Sequence, residues 1–428
     1  MSGSCSSTSL VLIAPWCDGT DVGEAWSTFQ WVRRLGERFK VTVLTCQRLG
    51  RASLAEQLPG LRIVEWPDLR MPSRWSRFGS MAKPGYLLFY WRCRKWLKRR
   101  LACGERFAIG HQLSPLALRY PSPLSGLGIP YVVGPLGGSI PTPVGFEQEM
   151  RGSALYTRLR ALDRVRLRLD PWMRDSLEGA ALVIGVAPYV RDLLGRLQVR
   201  RFEVMSETGV ERLPELTRPP RKVGEPLRLL FVGRMVRSKG ARDAIRATAI
   251  LARRMDVTLT LVGDGEDRRA CEEEAEQLGV RSRISFVGRI PRSSVDDFYR
   301  AADLFLFPSL REPSGNAVFE AMSYGLPVVA CASGGPGYVV DRTCGQTVVP
   351  CSPDRYAKDL ASAVCGLVSR PAWREALGEG ARRRIAQLAL WEHKIAKVSG
   401  WYTEIAAARP DSARVPDSGL RPAVTHTG

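Results

Sequence analysis

Glu312 and Glu320 stand eight residues apart in the segment 308–330, PSLREPSGNAVFEAMSYGLPVVA, around a Gly-Asn that opens an apolar helix. Residues 303–307 (DLFLF) compose a short buried-type strand and 308–313 a polar loop. The periodicity predicts a helix over 315–324, stopped by Gly325 and Pro327 before a second strand. The loop therefore lies at a strand's carboxyl end and faces a helix N-terminus. In open α/β sheets ligands bind there, and the first-turn amides of Gly315, Asn316 and Ala317 offer a phosphate free N–H donors and the positive end of the helix dipole. Carboxylates beside such a site can accept hydrogen bonds from hydroxyl groups. The plainer reading makes Glu320 a solvated helix residue and Glu312 a loop charge.

Other residues tilt the balance toward chemistry. Arg234 and Lys239 fall just past the predicted strand 227–232, with Gly233 at the turn, so both side chains can emerge at a carboxyl edge. An Arg forks onto two oxygens and a Lys adds a mobile point charge, a combination suited to a diphosphate; otherwise they are surface cations of a helix-entry loop. Gly263 and Gly265 bracket Asp264 in LVGDG, which permits close backbone approach or simply makes a tight turn. In the first half, Gly23 lies in DVGEAW after the first strand, and GPLGGS (134–139) follows another. His111 closes a strand predicted to end at Ile109. A single His at a strand end is more often structural, but this is one of three in the chain.

As a set, these segments resemble retaining glycosyltransferases of family 4. The span around Glu312 and Glu320 is similar to that family's Glu-x7-Glu signature, FVGRMVRSKG (231–240) to its Gly-Arg-Leu…Lys-Gly segment, LVGDG to its second glycine turn, and FVGR (286–289) to the strand and loop that follow. The similarity covers nearly all of 226–350 and, more weakly, 10–211. It implies an α/β chain of the GT-B fold, two Rossmann-like parallel-sheet domains facing across a cleft. It also implies roles. Arg234 and Lys239 would hold the leaving diphosphate with the amides at 315–317, and Glu320 the ribose hydroxyls. Val287, Gly288 and Arg289 would line the nucleobase pocket. Glu312 and His111 would lie near the transferred sugar, and Gly23, Gly233 and Gly263 against the donor. The implied catalytic set is thus Glu312, His111, Arg234 and Lys239, with no metal and no cofactor, a nucleoside-diphosphate sugar as donor and a hydroxyl acceptor. The triplet Asp264–Gly265–Glu266 invites comparison with a metal-binding Asp-x-Asp, yet falls in a turn the family shares. Where the family has Gly-Phe-Gly after the first Glu, this chain has Pro313-Ser314-Gly315, a departure that bears on which sugar is held.

Composition bounds the remaining classes. A chain of 428 residues suits two domains with tails. No run of eighteen uncharged apolar residues occurs, so a spanning helix is not expected. The polar leader MSGSCSSTS and the short apolar run 10–14 do not make a signal peptide, so the expected location is cytoplasmic. Ten cysteines without a CxxC pair, and three histidines, argue for reduced thiols and against structural zinc. A formal net charge of +20 calls for anionic partners. Zinc-finger spacing, RNP-type segments and basic zippers are absent, so nucleic acid is not expected. The segment 86–101, YLLFYWRCRKWLKRRL, puts Phe89, Cys93 and Leu97 on one helical stripe and Arg92, Lys95 and Arg99 on another. It is either a helix for peripheral contact with an anionic membrane, on the inner face of the cell membrane, or a domain helix with a solvated basic face.

The alternation of strand and helix patterns divides the chain into a leader (1–9) expected to be disordered, an acceptor-side domain (10–212), a proline-rich linker (213–226) and a nucleotide-sugar-binding domain (227–390). A helix crossing back to the first domain (391–408) and a disordered tail (409–428) follow. The expected activity is transfer of a sugar to a lipid-linked or polysaccharide precursor. The alternatives are a nucleotide-sugar 2-epimerase of the same architecture and a basic non-catalytic binding protein.

Overall fold

Short aliphatic runs become the strands of two wholly parallel sheets. The computed structural model describes residues 6–48, 50–68, 85–150, 166–167, 169–215, 224–370 and 372–408. The first sheet has the order β3-β2-β1-β4-β5-β6-β7. Its strands are β1 (Ser6–Ile13), β2 (Phe39–Gln47), β3 (Arg62–Pro67), β4 (Ile109–Gln112), β5 (Tyr131–Leu136), β6 (Leu182–Gly185) and β7 (Phe202–Val204). The second has the order β10-β9-β8-β11-β12-β13. It comprises β8 (Leu227–Val232), β9 (Val257–Val262), β10 (Ile284–Gly288), β11 (Leu304–Phe307), β12 (Val328–Cys331) and β13 (Gly345–Val348). Parallel strands need cover on both faces, and β1 shows how it is met: Val11 and Ile13 enter one core, Leu10 and Leu12 the other. The fold is GT-B, two Rossmann-like domains. Each sheet reverses its winding once, at β1/β4 and at β8/β11, which puts a ligand crevice at the carboxyl ends of those four strands.

Two exchanged segments help fix the halves to each other. The helix Trp391–Ala407 leaves the second domain and buries Trp391, Ile395, Val398, Trp401 and Tyr402 in the first domain's core, with Trp391 edge-on to Trp31 at 5.2 Å. In return, the connection after β5 crosses to the second domain and buries Phe146 and Met150 in that core. Phe146 meets Tyr356 edge-on at 5.8 Å, and Glu149 pairs with the buried Arg237 and with Arg246. Sequence periodicity gave no sign of this strap, because its contacts are long-range and its composition (SIPTPVGFEQEM) reads as a loop.

One expectation about the strands shifts, and one strand went unread. β4 does not end at Ile109 but begins there and runs through His111, since Gly110 leaves the room that Leu124 fills and the strand pairs with both β1 and β5. β13, GQTV, was hidden by its shortness and polarity. Between 151 and 178 the regular described element is the helix Pro171–Glu178; residues 151–165 and 168 lie outside the described residues. So do 1–5 of the leader, 216–223 of the linker and 409–428 of the tail.

Candidate functional site

At the β8/β11 switch point the loops are packed backbone to backbone. Gly233 N–H donates to the Val262 carbonyl and Gly263 N–H to that of Gly288, both at 2.9 Å. A Cβ on Gly263, whose φ is +133°, would stand 2.0 Å from the Gly233 oxygen. The glycines of LVGDG are therefore there for close approach of a neighbouring strand's loop. Gly240 serves the same end after Lys239: a Cβ there would lie 2.2 Å from the Pro308 oxygen. Leu310 N–H then donates to Ser238 at 3.0 Å, locking the loop after β8 to the loop after β11.

That lock brings the predicted groups together. Lys239 Nζ donates to Glu312 Oε2, while Glu312 Oε1 accepts from Gly315 N–H at 3.2 Å. One carboxylate thus spans the Lys239 cation and the first amide of the helix Asn316–Ser323, whose N-cap Gly315 has φ +92°. It accepts from donors of the kind an oxyanion would need. Arg234 projects from the same loop, exposed and without a partner among the described residues. Asn316 Oδ1 is buried with no partner among them either.

Glu320 sits one turn along that helix, where its carboxylate accepts from Arg292 Nη2 at 2.9 Å and from the Tyr299 hydroxyl at 3.1 Å. Burial pushes its carboxyl above the ordinary range, and the Arg292 charge offsets part of that. Arg292 also stacks on the Trp26 ring at 4.2 Å, joining the second domain to the first across the crevice. Gly23, with φ +67°, caps the helix Glu24–Gly36 that carries Trp26, and nothing lies within 4 Å of where its Cβ would be. Glu24 accepts from Leu116 N–H at 2.9 Å and so ties the loop after β1 to the loop after β4. Along β10, Val287 is half-buried, Gly288 buried and Arg289 exposed.

His111 does not join this group. Lying within β4, it is wholly enclosed: Nε2–H donates to the Gly134 carbonyl at 2.7 Å and Nδ1 accepts from the Tyr402 hydroxyl. Burial pulls its pKa down to about 4. It fastens the last helix to the first sheet. Spacing, conversely, missed Arg292, Tyr299 and Glu207. Glu207, in the loop after β7, is 8% exposed and accepts from Ser314 Oγ of the Glu312 loop. A carboxylate in SETGVE just before a proline-rich stretch was the only signal available.

Comparison with known proteins finds similarity chiefly in the second domain. Residues 214–384 match the family model of glycosyl transferases group 1. That stretch is similar to a group 1 glycosyltransferase domain. Over 149 residues the chain is 35% identical to the lipopolysaccharide core biosynthesis glycosyltransferase LpsD of Rhizobium meliloti, covering 35% of this chain and 41% of that protein. Over 234 residues it is 33% identical to glycogen synthase of Mycobacterium tuberculosis, covering 54% and 55%. The chain thus spans about half the length of the curated relatives it matches. Among solved structures, Anabaena Alr3699/HepE in complex with UDP and glucose superposes with a TM-score of 0.59 at 15% identity, covering 94% of this chain and 99% of that one. The likeness is one of fold. Every cluster member named above from the second domain, from Gly233 to Glu320, falls inside the matched span 214–384.

Proposed function

We propose that the chain is a retaining glycosyltransferase that moves a sugar from a nucleoside diphosphate to a hydroxyl of a lipid-linked or polysaccharide precursor. The observation that carries this reading is the convergence of Lys239 and the Gly315 amide on a single carboxylate at the switch point, with Arg234, exposed and unpartnered among the described residues, on the same loop as Lys239. In the donor complex the diphosphate replaces Glu312 between those donors, and Glu312 is released toward the sugar. Charge that develops on the leaving group is met by the two cations and the helix end, so transfer proceeds without a metal or a cofactor. Glu320 exchanges Arg292 for the ribose hydroxyls, and the backbone of 287–289 borders the base. The acceptor enters from the first domain, and the leaving phosphate oxygen takes its proton on the face the nucleotide vacates. The HepE complex with UDP supports a nucleotide-sugar donor, and LpsD supports a glycan acceptor.

The peripheral membrane contact and the cytoplasmic location belong to the same reading. Among described residues no helix is long and apolar enough to cross a membrane, and the cysteines are free thiols. The test is a hydrolysis screen of UDP- and GDP-sugars, with and without EDTA. Release of one nucleoside diphosphate, unchanged by EDTA and sharply cut in Arg234→Ala, is expected. Conversion of donor to its 2-epimer, or indifference to every activated sugar, would end the reading.

A further inference from the structure

The loop that carries Glu312 and Gly315 belongs to the second domain, yet one of its side-chain tethers comes from the first. Ser314, 2% exposed, donates through Oγ to Glu207 Oε2. Glu207 is itself held from behind. Its carbonyl accepts from Trp31 Nε1 at 2.8 Å. Its neighbours Ser206 and Thr208 offer their carbonyls to Lys394 Nζ, the first at 2.7 Å, and that ammonium is sandwiched over Trp391 and Trp31 at 4.4 and 4.9 Å. On its other side the loop meets more of the first domain. Pro313 lies 3.4 Å from where a Gly137 Cβ would be, and Ile140 packs at Gly334, which in turn approaches the Glu312 carbonyl. Tyr189, whose hydroxyl accepts from Gly138 N–H at 3.0 Å, is near enough to Glu207 and Glu312 that both carboxylates add to the burial that raises its phenol.

A buried carboxylate is costly unless it is held and used. Burial pushes the Glu207 carboxyl upward, and the Ser314 hydroxyl and Lys394 charge pull it partly back. Its charge also offsets that of the buried Lys394, but the bond to Ser314 reaches beyond that pairing into the second domain. We propose that Glu207 is a positioning residue: through Ser314 it sets the register of the Pro313-Ser314-Gly315 turn against the first domain, so that Glu312 meets the sugar only when the two halves are seated as they are here. The proposal rests on the glycosyltransferase reading. It also gives a physical reason for Ser314 in this chain's turn, since a hydroxyl there reaches across the interface.

The division of labour makes it testable. Arg234, Lys239 and the Gly315 amide all belong to the second domain, so they grip a diphosphate without Glu207, whereas transfer needs the first domain in register. Glu207→Ala and Ser314→Ala should each lower kcat for donor hydrolysis by about 10- to 100-fold, the scale of a sub-ångström to 1 Å misplacement. The dissociation constant for UDP or GDP, by calorimetry, should change less than threefold. Because both remove one shared contact, the double variant should be no slower than the worse single. Glu207→Gln, which still accepts, and Ser314→Thr, which still donates, should recover most of the rate. A kcat within twofold of the parent in either alanine variant, additive losses, or loss of nucleotide binding in step with rate would overturn the proposal. Should the parent chain neither bind UDP or GDP nor hydrolyse their sugars, the glycosyltransferase reading fails and takes this proposal with it. Should Glu207→Ala not fold, the Ser314 pair decides alone.

Discussion

Arg234 and Lys239 come from one loop, yet their surroundings assign them different mutational behaviour. Arg234 is exposed and partnerless among the described residues, so Arg234→Ala should leave stability within about 0.5 kcal/mol while cutting donor turnover by roughly 100- to 1000-fold, as loss of a transition-state charge donor does. Lys239→Ala strips the cation from a largely buried Glu312 and should cost stability as well, on the order of 1–3 kcal/mol. Urea unfolding of both variants, set beside their turnover, separates the two patterns; equal destabilisation would contradict this account of the loop. His111 gives a pH signature. Its folded pKa of about 4 lies below the ordinary value of 6.5, so between those limits the unfolded chain binds a proton that the folded chain refuses. Stability from this group is whole above pH 6.5 and is lost as pH falls toward 4, by about 3 kcal/mol in total. His111→Gln should flatten the slope of the unfolding free energy between pH 6.5 and 5, where most carboxylates have yet to titrate. An unchanged slope would mean that the ring is solvated after all.

At the scale of elements, what could be read beforehand was whatever is local in the chain. Most strands of both sheets announced themselves as aliphatic runs, and the fixed φ of proline suits Pro353 to the first position of the helix Pro353–Val368. The Lys239–Glu312–Gly315 grouping was legible because each member abuts a strand end, and parallel topology gathers strand ends. The strap that buries Phe146, the Glu207–Ser314 tether and the Arg292–Trp26 stack were illegible because each joins residues far apart in sequence, without periodicity. His111 misled because a polar residue in GHQ looks like a strand's end, while the chain continues the strand and buries it. The glycine turns allow a sharper test. Gly263→Ala forces a Cβ to within 2.0 Å of the Gly233 oxygen, which is backbone and cannot swing away, so the loops after β8 and β9 must part. A loss of about 3 kcal/mol is expected, with reduced nucleotide binding. Gly279→Ala, also at positive φ but with nothing within 4 Å, should cost only about 1 kcal/mol. Equal losses would show that φ strain alone governs both sites.

Over the whole molecule the net charge of +20 remains to be placed, and the helix Gly85–Ala102 concentrates part of it. Its inner face buries Tyr86, Phe89, Tyr90, Cys93 and Leu97, as the stripe predicts. Arg92 departs from the predicted basic stripe, donating instead to the Pro67 carbonyl at 3.0 Å. The outer face keeps Lys95, Lys98 and Arg99 exposed and adds Leu87 and Trp91, each more than half exposed. Trp91 meets Trp172 of the helix Pro171–Glu178 edge-on at 5.9 Å, so the apolar surface extends over two helices. Indoles beside free cations favour an anionic interface over either bulk water or a neutral bilayer. At about 1 kcal/mol per surface cation, three cations give roughly a hundredfold preference for anionic over zwitterionic vesicles. Vesicle sedimentation of the full chain should show that preference, and it should shrink as salt shortens the screening length. Trp91→Ala with Trp172→Ala should weaken binding to anionic vesicles while leaving its salt dependence intact, since indoles insert and cations attract. Binding that ignores both lipid charge and the two tryptophans, or a steeper salt response on duplex DNA than on vesicles, would instead assign the charge to another partner and move the acceptor away from the membrane.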